Sequence, residues 1–173
     1  DDGSGGAGHA ISLEHRHGRH HGRGGKSHPR APAGKKESDG FDFYVFSMSH
    51  EPEFCRENGE RFAGCRAPRE EWQGQLTIHG LWPNRNDGTW PSACTDEKFD
   101  VALLAGLAED LSHRWPNIKA LSPDAKGHTS FWDHEWTKHG TCSGLGQRDY
   151  FRTALDLLLR TPDVVRERAG ATV

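Results

Sequence analysis

Residues 131–142 read FWDHEWTKHGTC, and this stretch decides how the folded part of the chain is organised. At about 100° per residue on an α-helix, four of its titratable side chains fall within one arc of about 140°. These are His134, Glu135, Lys138 and His139. A solvated charged face would show the same spacing, but this one is interleaved with a phenylalanine and two tryptophans. The pattern therefore predicts a short helix over 131–139, ended by Gly140, with a cleft along its polar face.

A second motif, IHGLWPN at 78–84, lies at the end of a predicted strand over 73–81. The glycine directly after His79 allows a turn that would expose the imidazole at the edge of a cleft. Trp82 offers a surface on which a nucleobase can stack, and Asn84 an amide that can hydrogen-bond to the base edge. Taken singly, His79 and Trp82 also fit ordinary core residues. The functional interpretation therefore depends on both motifs together.

The rest of the pattern indicates a mixed α and β fold with more helices than strands. An aromatic run predicts a first strand over 41–48, and apolar spacing predicts helices over 97–113 and 149–159. Residues 54–69 are predicted to form a loop, and a further helix is predicted to start at Thr161. Two strands do not make a stable sheet. The sequence therefore looks cut short at its C-terminal end.

Composition divides the chain near residue 40. Residues 1–40 hold 10 of the 21 glycines and 6 of the 12 histidines, whereas all 6 tryptophans follow Phe41. So polar a segment cannot bury apolar surface, and we expect a disordered Gly/His-rich tail before one folded domain over 41–173. The tail histidines could bind zinc or copper loosely, although a solvated linker is the simpler interpretation.

Charge and hydropathy narrow the class of protein. The formal charge is +2 over residues 1–40 and −5 over 41–173, which together give −3. A domain this acidic does not bind nucleic acid through a broad basic surface, so an RNA would have to be held in a cleft by few contacts. No apolar run is long enough to span a membrane, and Asp1 opens a polar stretch rather than a signal peptide.

The cysteines indicate the redox environment. They are Cys55, Cys65, Cys94 and Cys142. None forms a C-x-x-C pair, which argues against a structural zinc site, and an even number favours two disulfides in an oxidising compartment. Four buried thiols in a cytosolic protein stay open as the alternative, and four cysteines allow three pairings.

The titratable residues favour chemistry without a metal. The zinc-binding motif H-E-x-x-H is broken because Lys138, a poor metal ligand, stands four residues after His134. Two histidines on different elements can serve as general acid and base, and a lysine can stabilise charge that develops on phosphate oxygens. Since no serine or cysteine nucleophile is evident, the nucleophile must come from water or from the substrate. RNA carries one in its 2′-hydroxyl.

Together, HGLWPN and FWxHEWxKHGTC resemble the two catalytic segments of the ribonuclease T2 family, the acid endoribonucleases of fungi, plants and bacteria. The strand FDFYVFSMS is also similar to the family's opening strand, so the resemblance covers residues 41 to about 160. It implies an α+β fold with an antiparallel sheet flanked by helices, and the disulfides Cys55–Cys65 and Cys94–Cys142. Members of the family generally continue with further strands that are absent here.

The resemblance also implies roles for individual residues. His79 corresponds to the general acid for the leaving 5′-oxygen, and His139 to the base that takes the 2′-hydroxyl proton. His134 matches a phosphate-binding position, and Glu135 and Lys138 match the pair that stabilises the five-coordinate phosphorus. The positions lining the base pocket match Trp82, Asn84 and Trp90.

We therefore expect a secreted, monomeric endoribonuclease, extracellular or periplasmic, that cleaves single-stranded RNA to a 2′,3′-cyclic phosphate and then to a 3′-phosphate. This prediction includes no cofactor or metal, no DNA and no membrane. One alternative is a catalytically silent RNA-binding relative, against which the complete set of motif residues argues. Another is a metal-binding or interaction protein built on the tail, whose activity would be abolished by deletion of residues 1–40.

Overall fold

The computed structural model describes residues 9–14, 40–120, 125–162 and 164–165. Within them three antiparallel strands form one sheet in the order β1-β2-β3, with β1 at His9–Glu14, β2 at Phe43–His50 and β3 at Leu76–Asn84. The α-helices are α1 (Glu51–Asn58), α2 (Ala63–Arg66), α3 (Ala108–Arg114), α4 (Ala125–Lys138) and α5 (Gln147–Leu159). Short 3-10 turns occupy Gly59–Arg61, Glu70–Trp72, Val101–Leu104 and Gly140–Cys142. The predicted α+β class is confirmed.

The pairing of β2 with β3 is interrupted at one residue. Ser47 lies opposite Gly80 and Met48 opposite Ile78, so His79 has no partner on β2. Such a β-bulge bends the strand and re-aims the side chain at the bulge. His79 is accordingly exposed, whereas the residues on both sides of it are buried. Because pairing resumes after the bulge and continues to Asn84, the predicted strand end at 81 is too early.

The other edge of β2 pairs with β1, from His9 opposite Met48 to Glu14 opposite Phe43. The expectation of a tail without regular structure is therefore wrong for the six residues of β1. The sequence of this strand ends in ISLE, an alternation of apolar and polar residues that suits an extended strand. Residues 1–8 and 15–39 of the predicted tail lie outside the described residues.

The segment 54–69 is not the loop that its composition predicts, because most of α1 and all of α2 lie within it. Pro52 in the first turn, with Glu51 and Glu53 beside it, is typical of a helix start. Arg56 in the last turn of α1 suits the opposite end of the helix dipole. These residues of the first and last turns thus favour a helix more strongly than the glycines and cysteines favour a loop.

The continuous helix predicted over 97–113 is also wrong. Its middle forms the 3-10 turn Val101–Leu104, and α3 begins only after Gly106, whose φ of +79° lies in the left-handed region. The prediction over 149–159 agrees with α5, and α4 contains most of 131–139 but begins earlier, at Ala125. The helix predicted from Thr161 is represented by helical residues 164 and 165, and the residues that follow are not described.

The core is dominated by large aromatic side chains, each at most 1% exposed: Trp115, Trp132, Trp136, Tyr150 and Phe151. Their polar atoms hydrogen-bond to backbone carbonyls. The indole of Trp132 donates to the carbonyl of Trp115 at 2.9 Å, and that of Trp136 to the carbonyl of Glu97 at 3.2 Å. Buried aromatic rings with satisfied donors fix the connecting segments as well as fill the core.

Two disulfides join the helices to their surroundings, and both predicted pairings are confirmed. Cys55–Cys65 connects α1 to α2, and Cys94–Cys142 connects the segment after β3 to the 3-10 turn after α4. The second therefore closes across the end of the helix that carries the motif histidines. In the part of the chain that is described, no helix combines the length and apolar character needed to cross a membrane.

Candidate active site

Two core side chains hold the backbone of β3 on either side of Gly80. The indole of Trp115 donates to the carbonyl of His79 at 3.1 Å, and the hydroxyl of Tyr150 donates to the carbonyl of Leu81 at 2.9 Å. Both donors are fully buried. Since buried groups hold both carbonyls, the bulge has a fixed shape and the His79 side chain leaves it in a defined direction.

The imidazole of His79 lies against two aromatic rings at the surface. Its ring centroid is 5.4 Å from that of Trp82 and 5.8 Å from that of Phe131. Loss of solvent around the ring lowers the pKa of His79, and the nearby charges of Lys119 and His134 lower it further. A histidine with a lowered pKa donates its proton readily but holds it only at acidic pH.

A hydrogen bond joins the strand motif to the helix motif. The indole Nε1 of Trp82 donates to Oε2 of Glu135 at 2.9 Å, across 53 residues of sequence. The two groups meet above Gly80, where an added Cβ would overlap both the indole nitrogen and the carboxylate oxygen. The absence of a side chain at Gly80 is therefore what permits this contact.

Glu135 lies on the buried side of α4. Its side chain is only 2% exposed, and burial raises the pKa of the carboxyl to about 8. The hydrogen bond from Trp82 and the ammonium of Lys138 act in the opposite direction. The carboxyl can thus hold a proton at neutral pH, where an exposed glutamate is ionised.

His139 lies where α4 gives way to the turn Gly140–Cys142. Its N–H donates to the carbonyl of Glu135 at 3.0 Å, and its carbonyl accepts from the N–H of Cys142 at 3.0 Å. The imidazole is 5.3 Å from the Trp82 ring between centroids, and the residue is 7% exposed. Because Trp136 packs directly against Gly140, a Cβ at this glycine would overlap the indole. The chain turns sharply here, and the turn sets the position of the histidine.

The segment after β3 clamps this end of the helix. The N–H of Ala93 donates to the carbonyl of Lys138 at 3.0 Å, and the N–H of Cys94 donates to Oγ1 of Thr141 at 3.1 Å. The disulfide from Cys94 to Cys142 lies beside these bonds. The terminal carbonyl of the helix is therefore satisfied by a distant segment rather than by water.

The single polar arc predicted for this helix is only partly right. His134 is exposed and Lys138 is half-buried, as a cleft face requires. Glu135 and His139 are buried instead, because Trp82 covers this part of the helix. The charge of His134 contributes to the lowered pKa of His79.

The three residues predicted to bind a base are placed differently. Trp82 is half-buried and contacts both His79 and His139. Asn84, at the end of β3, donates from Nδ2 to the carbonyl of Trp82 at 3.2 Å. Trp90 is 58% exposed and follows a turn in which the N–H of Arg85 donates to Thr89. The structure thus brings Trp82 into the centre of the site, and places the other two further along the chain.

Lys119, whose charge acts on His79, and the buried His128 were not predicted from the sequence. Lys119 is close enough to influence His79 electrostatically. His128 is fully buried, and its ring stacks on that of Trp132 at 6.0 Å between centroids. An earlier helix start would have placed His128 four residues before Trp132, on the same face. Nothing in the sequence distinguishes Lys119 from an ordinary surface lysine.

Potential metal ligands are dispersed within the part of the chain that the structure describes. Among the described residues, no group of three or more histidine, cysteine, aspartate or glutamate side chains is arranged to hold a metal ion. The polar groups that converge around α4 and β3 include the imidazoles of three histidines, the carboxyl of Glu135 and the ammonium of Lys138.

The α+β fold brings two histidines from distant segments to one indole. The profile of the Ribonuclease T2 family matches residues 41–165, which is more than half of the chain. The chain therefore belongs to the ribonuclease T2 family.

Several relatives and solved structures are similar to this chain. It is 38% identical over 120 residues to Intracellular ribonuclease LX of Solanum lycopersicum, covering 69% of this chain and 48% of that protein. It is 36% identical over 121 residues to Extracellular ribonuclease LE of the same organism, covering 68% and 50%. A crystal structure of RNase NT in complex with 5′-AMP matches with a TM-score of 0.56 and 32% identity, covering 70% of this chain and 57% of that one. The chain thus spans about half the length of these curated relatives.

Proposed function

We propose that this chain carries the catalytic site of an endoribonuclease that cleaves RNA by transesterification. The observation that carries the proposal is the contact of His79 and His139 with one indole, that of Trp82, at 5.4 and 5.3 Å between ring centroids. One histidine comes from a strand bulge and the other from a helix end. Membership of the ribonuclease T2 family, and the nucleotide held by the similar RNase NT, support RNA as the substrate class.

In the first step the 2′-hydroxyl oxygen attacks the adjacent phosphorus and the bond from phosphorus to the 5′-oxygen breaks. Neutral His139 takes the proton of the 2′-hydroxyl, and protonated His79 gives a proton to the leaving 5′-oxygen. The products are a 2′,3′-cyclic phosphate and a 5′-hydroxyl. Water then attacks the cyclic phosphate with the two roles reversed, so that His79 takes a proton from water. His139 returns a proton to the 2′-oxygen, and a 3′-phosphate results.

Charge that develops on the phosphate oxygens is stabilised by the groups of α4. His134 is exposed on the side that faces His79, and Lys138 is half-buried next to Glu135. Both can place positive charge against the phosphate. Glu135, whose pKa is raised to about 8, can donate a hydrogen bond to a phosphate oxygen in its protonated form.

The base beside the cleaved bond is held by the aromatic residues of the segment 82–90. Trp82 is fixed by its bond to Glu135, and Trp90 offers the larger exposed ring surface. Asn84 supplies an amide for the base edge. Because stacking on a side chain needs an unstacked base, the substrate is single-stranded RNA.

The remaining features of the proposal concern the protein in solution. Two disulfides support a secreted protein that acts outside the cell or in the periplasm. The catalytic domain covers 41–173 and acts as a monomer without a cofactor. DNA lacks the 2′-hydroxyl and is not cleaved.

The test is to incubate the protein with single-stranded RNA in EDTA and to analyse the ends of the products. We expect 2′,3′-cyclic phosphate ends that convert slowly to 3′-phosphates, and no cleavage of DNA or of fully 2′-O-methylated RNA. A variant that lacks residues 1–8 but keeps β1 serves as the control for the N-terminal end, and it should keep the activity. Loss of all cleavage in EDTA with recovery on adding zinc would contradict the mechanism.

A further inference from the structure

A basic and aromatic surface that includes Lys119, four residues after Trp115, takes no part in the steps above. We name it the Lys119 platform, and it consists of Phe54, Arg61, Phe62 and Lys119. The two phenyl rings stack with centroids 5.5 Å apart and planes inclined by 28°. The ammonium of Lys119 lies 5.9 Å from each ring centroid, and the guanidinium of Arg61 lies 5.3 Å from that of Phe62. Both exposed cations thus contact the same phenyl ring, that of Phe62.

The Cys55–Cys65 disulfide and one close backbone contact fix the platform to the rest of the fold. The disulfide joins the helices on either side of the 3-10 turn that precedes Phe62. The N–H of Gly64 donates to the carbonyl of Ile118 at 3.1 Å. An added Cβ at Gly64 would approach this carbonyl oxygen to 2.9 Å, so the two backbones pack without room for a side chain. This contact brings the phenyl rings to the segment that carries Lys119.

His128 stabilises the backbone turn that carries Lys119. Nδ1 of this buried imidazole accepts the N–H of Asn117 at 2.9 Å. The side chain of Asn117 in turn accepts the N–H of Lys119 at 3.1 Å, and its amide donates to the carbonyl of Gly127 at 3.0 Å. Lys119 is therefore an exposed side chain on a backbone that several hydrogen bonds hold in place.

The position of this cation relative to His79 indicates which part of an RNA it meets. Lys119 lies four residues after Trp115, whose indole donates to the carbonyl of His79 at 3.1 Å. The charge of Lys119 also lowers the pKa of the His79 imidazole, as the charge of His134 does from the other motif. In the proposed function His79 protonates the leaving 5′-oxygen. A cation beside His79 therefore lies on the side of the nucleotide that leaves, beyond the cleaved bond.

We propose that Lys119, held over Phe54 and Phe62 and supported by Arg61, binds the phosphate on the 3′ side of the leaving nucleotide. This inference rests on the proposed function and adds a second phosphate contact to it. The ligand is a phosphate of the RNA backbone, and no base is read at this position. An acidic domain can bind a polyanion in this way because the contact is local.

The test compares two substrates that differ in one group. One is a dinucleotide with a ribose only at the cleaved position, and the other is the same dinucleotide with a 3′-terminal phosphate. We expect the native protein to show a kcat/KM about fivefold higher on the phosphorylated form, the size of an exposed charge contact. The variant Lys119→Ala should lose this preference, and Lys119→Arg should keep most of it. On long single-stranded RNA, Lys119→Ala should also reduce the slope of log kcat/KM against log salt by about 0.7.

The plain dinucleotide monitors the fold and the chemistry of each variant, since any general damage affects both substrates alike. Lys98→Ala removes an exposed lysine elsewhere and is the matched control, which should keep the native preference. Phe62→Leu keeps both cations but removes one ring, and should weaken the preference. A native protein without the preference, or a Lys119→Ala variant that retains it, would overturn the inference. A native protein that cleaves neither substrate would contradict the proposed function instead.

Discussion

The two halves of the proposed site are built in opposite ways. The strand half exposes His79 on a bulge, and the surroundings lower the pKa of its imidazole. The helix half buries Glu135, and the pKa of that carboxyl rises to about 8. The strand half depends on backbone geometry held by two core hydrogen bonds, whereas the helix half depends on packing under Trp82.

This difference shows how one site can raise the pKa of one group and lower the pKa of another. The carboxyl of Glu135, with a pKa of about 8, keeps its proton at mildly acidic pH, whereas the surroundings of His79 lower the pKa of its imidazole. His79 in the strand half is exposed, whereas Glu135 and His139 in the helix half are buried. The hydrogen bond from Trp82 to Glu135 connects them, so a change in either half should be felt in the other.

The largest expected effect comes from removing either histidine. His79→Ala and His139→Ala should each lower the single-turnover rate about 10³- to 10⁴-fold, because each takes one proton transfer away. The double variant should lose little more than either single one, since both groups serve one step. The measurement is cleavage of an oligonucleotide with one ribose. If His139→Ala stayed within tenfold of native, the helix half would have no part in the chemistry.

The activity should depend strongly on pH, because one histidine must be neutral and the other protonated. A lowered pKa for His79 places the alkaline limb of the profile below the ordinary histidine value of about 6.5. Above this limb the rate should fall about tenfold per pH unit. Lys119→Ala removes a cation that lowers the pKa of His79, so the limb should move to higher pH. A rate that rises steadily into alkaline solution would contradict these roles.

Removing each of the two disulfides should have a different effect on stability and on activity. Chain entropy assigns about 4 kcal/mol to Cys94–Cys142 and about 3 kcal/mol to Cys55–Cys65, as model-dependent upper figures. Replacing both cysteines of one pair by serine and measuring urea unfolding gives the two losses. Only the first pair closes across the end of α4, so its loss should also reduce cleavage of the plain dinucleotide. Equal losses of activity would show that the clamp does not position His139.

The buried carboxyl predicts how stability varies with pH. The folded-state pKa of Glu135 is about 8, above the unfolded value of 4.5, so the folded state holds the proton more tightly. The contribution of this proton to the free energy of unfolding is fully present below pH 4.5 and is lost as the pH rises towards 8. Between pH 5 and 8 the free energy of unfolding should fall by about 3 kcal/mol from this group. Burial raises the pKa of Glu51 to about 7, which adds a smaller fall of the same sign.

The variant Glu135→Gln separates these two contributions. It should remove most of the fall in unfolding free energy between pH 5 and 8, and Glu51→Gln should remove less. Chemical unfolding at several pH values provides the measurement. A Glu135→Gln protein with the native pH dependence would show that the helix half does not titrate in this range.

The smallest of these effects concerns the contact between the halves. Gly80→Ala introduces a Cβ where Trp82 meets Glu135, and overpacking of this kind costs about 1–3 kcal/mol. The same change should reduce activity, since the indole can no longer reach the carboxyl. Gly74→Ala is the matched control, because a Cβ at that glycine meets nothing within 4 Å. If both variants behaved alike, the close approach at Gly80 would be unimportant.

Elements with strong local patterns could be predicted, and elements with conflicting signals could not. The spacing of Phe151, Ala154 and Leu158 gave α5 nearly in full. The loop predicted over residues 54–69 was wrong because its glycines and cysteines were given more weight than the residues typical of helix ends in α1. The helix predicted over 97–113 failed because its apolar period continues through Gly106, where the backbone leaves the helical region.

The sequence by itself determined which residues we propose for the chemistry, because two motifs of fixed residues contain His79, His134, Glu135, Lys138 and His139. Only the tertiary structure decided how each of them behaves. Burial of Glu135 depends on an indole 53 residues away, and exposure of His79 depends on a bulge against another strand. Lys119 became a candidate binding residue only because the fold brings it to the Phe54 ring and within electrostatic reach of His79. Residue type is a local property of the chain, whereas solvent access and electrostatic surroundings arise from contacts between segments that are distant in sequence.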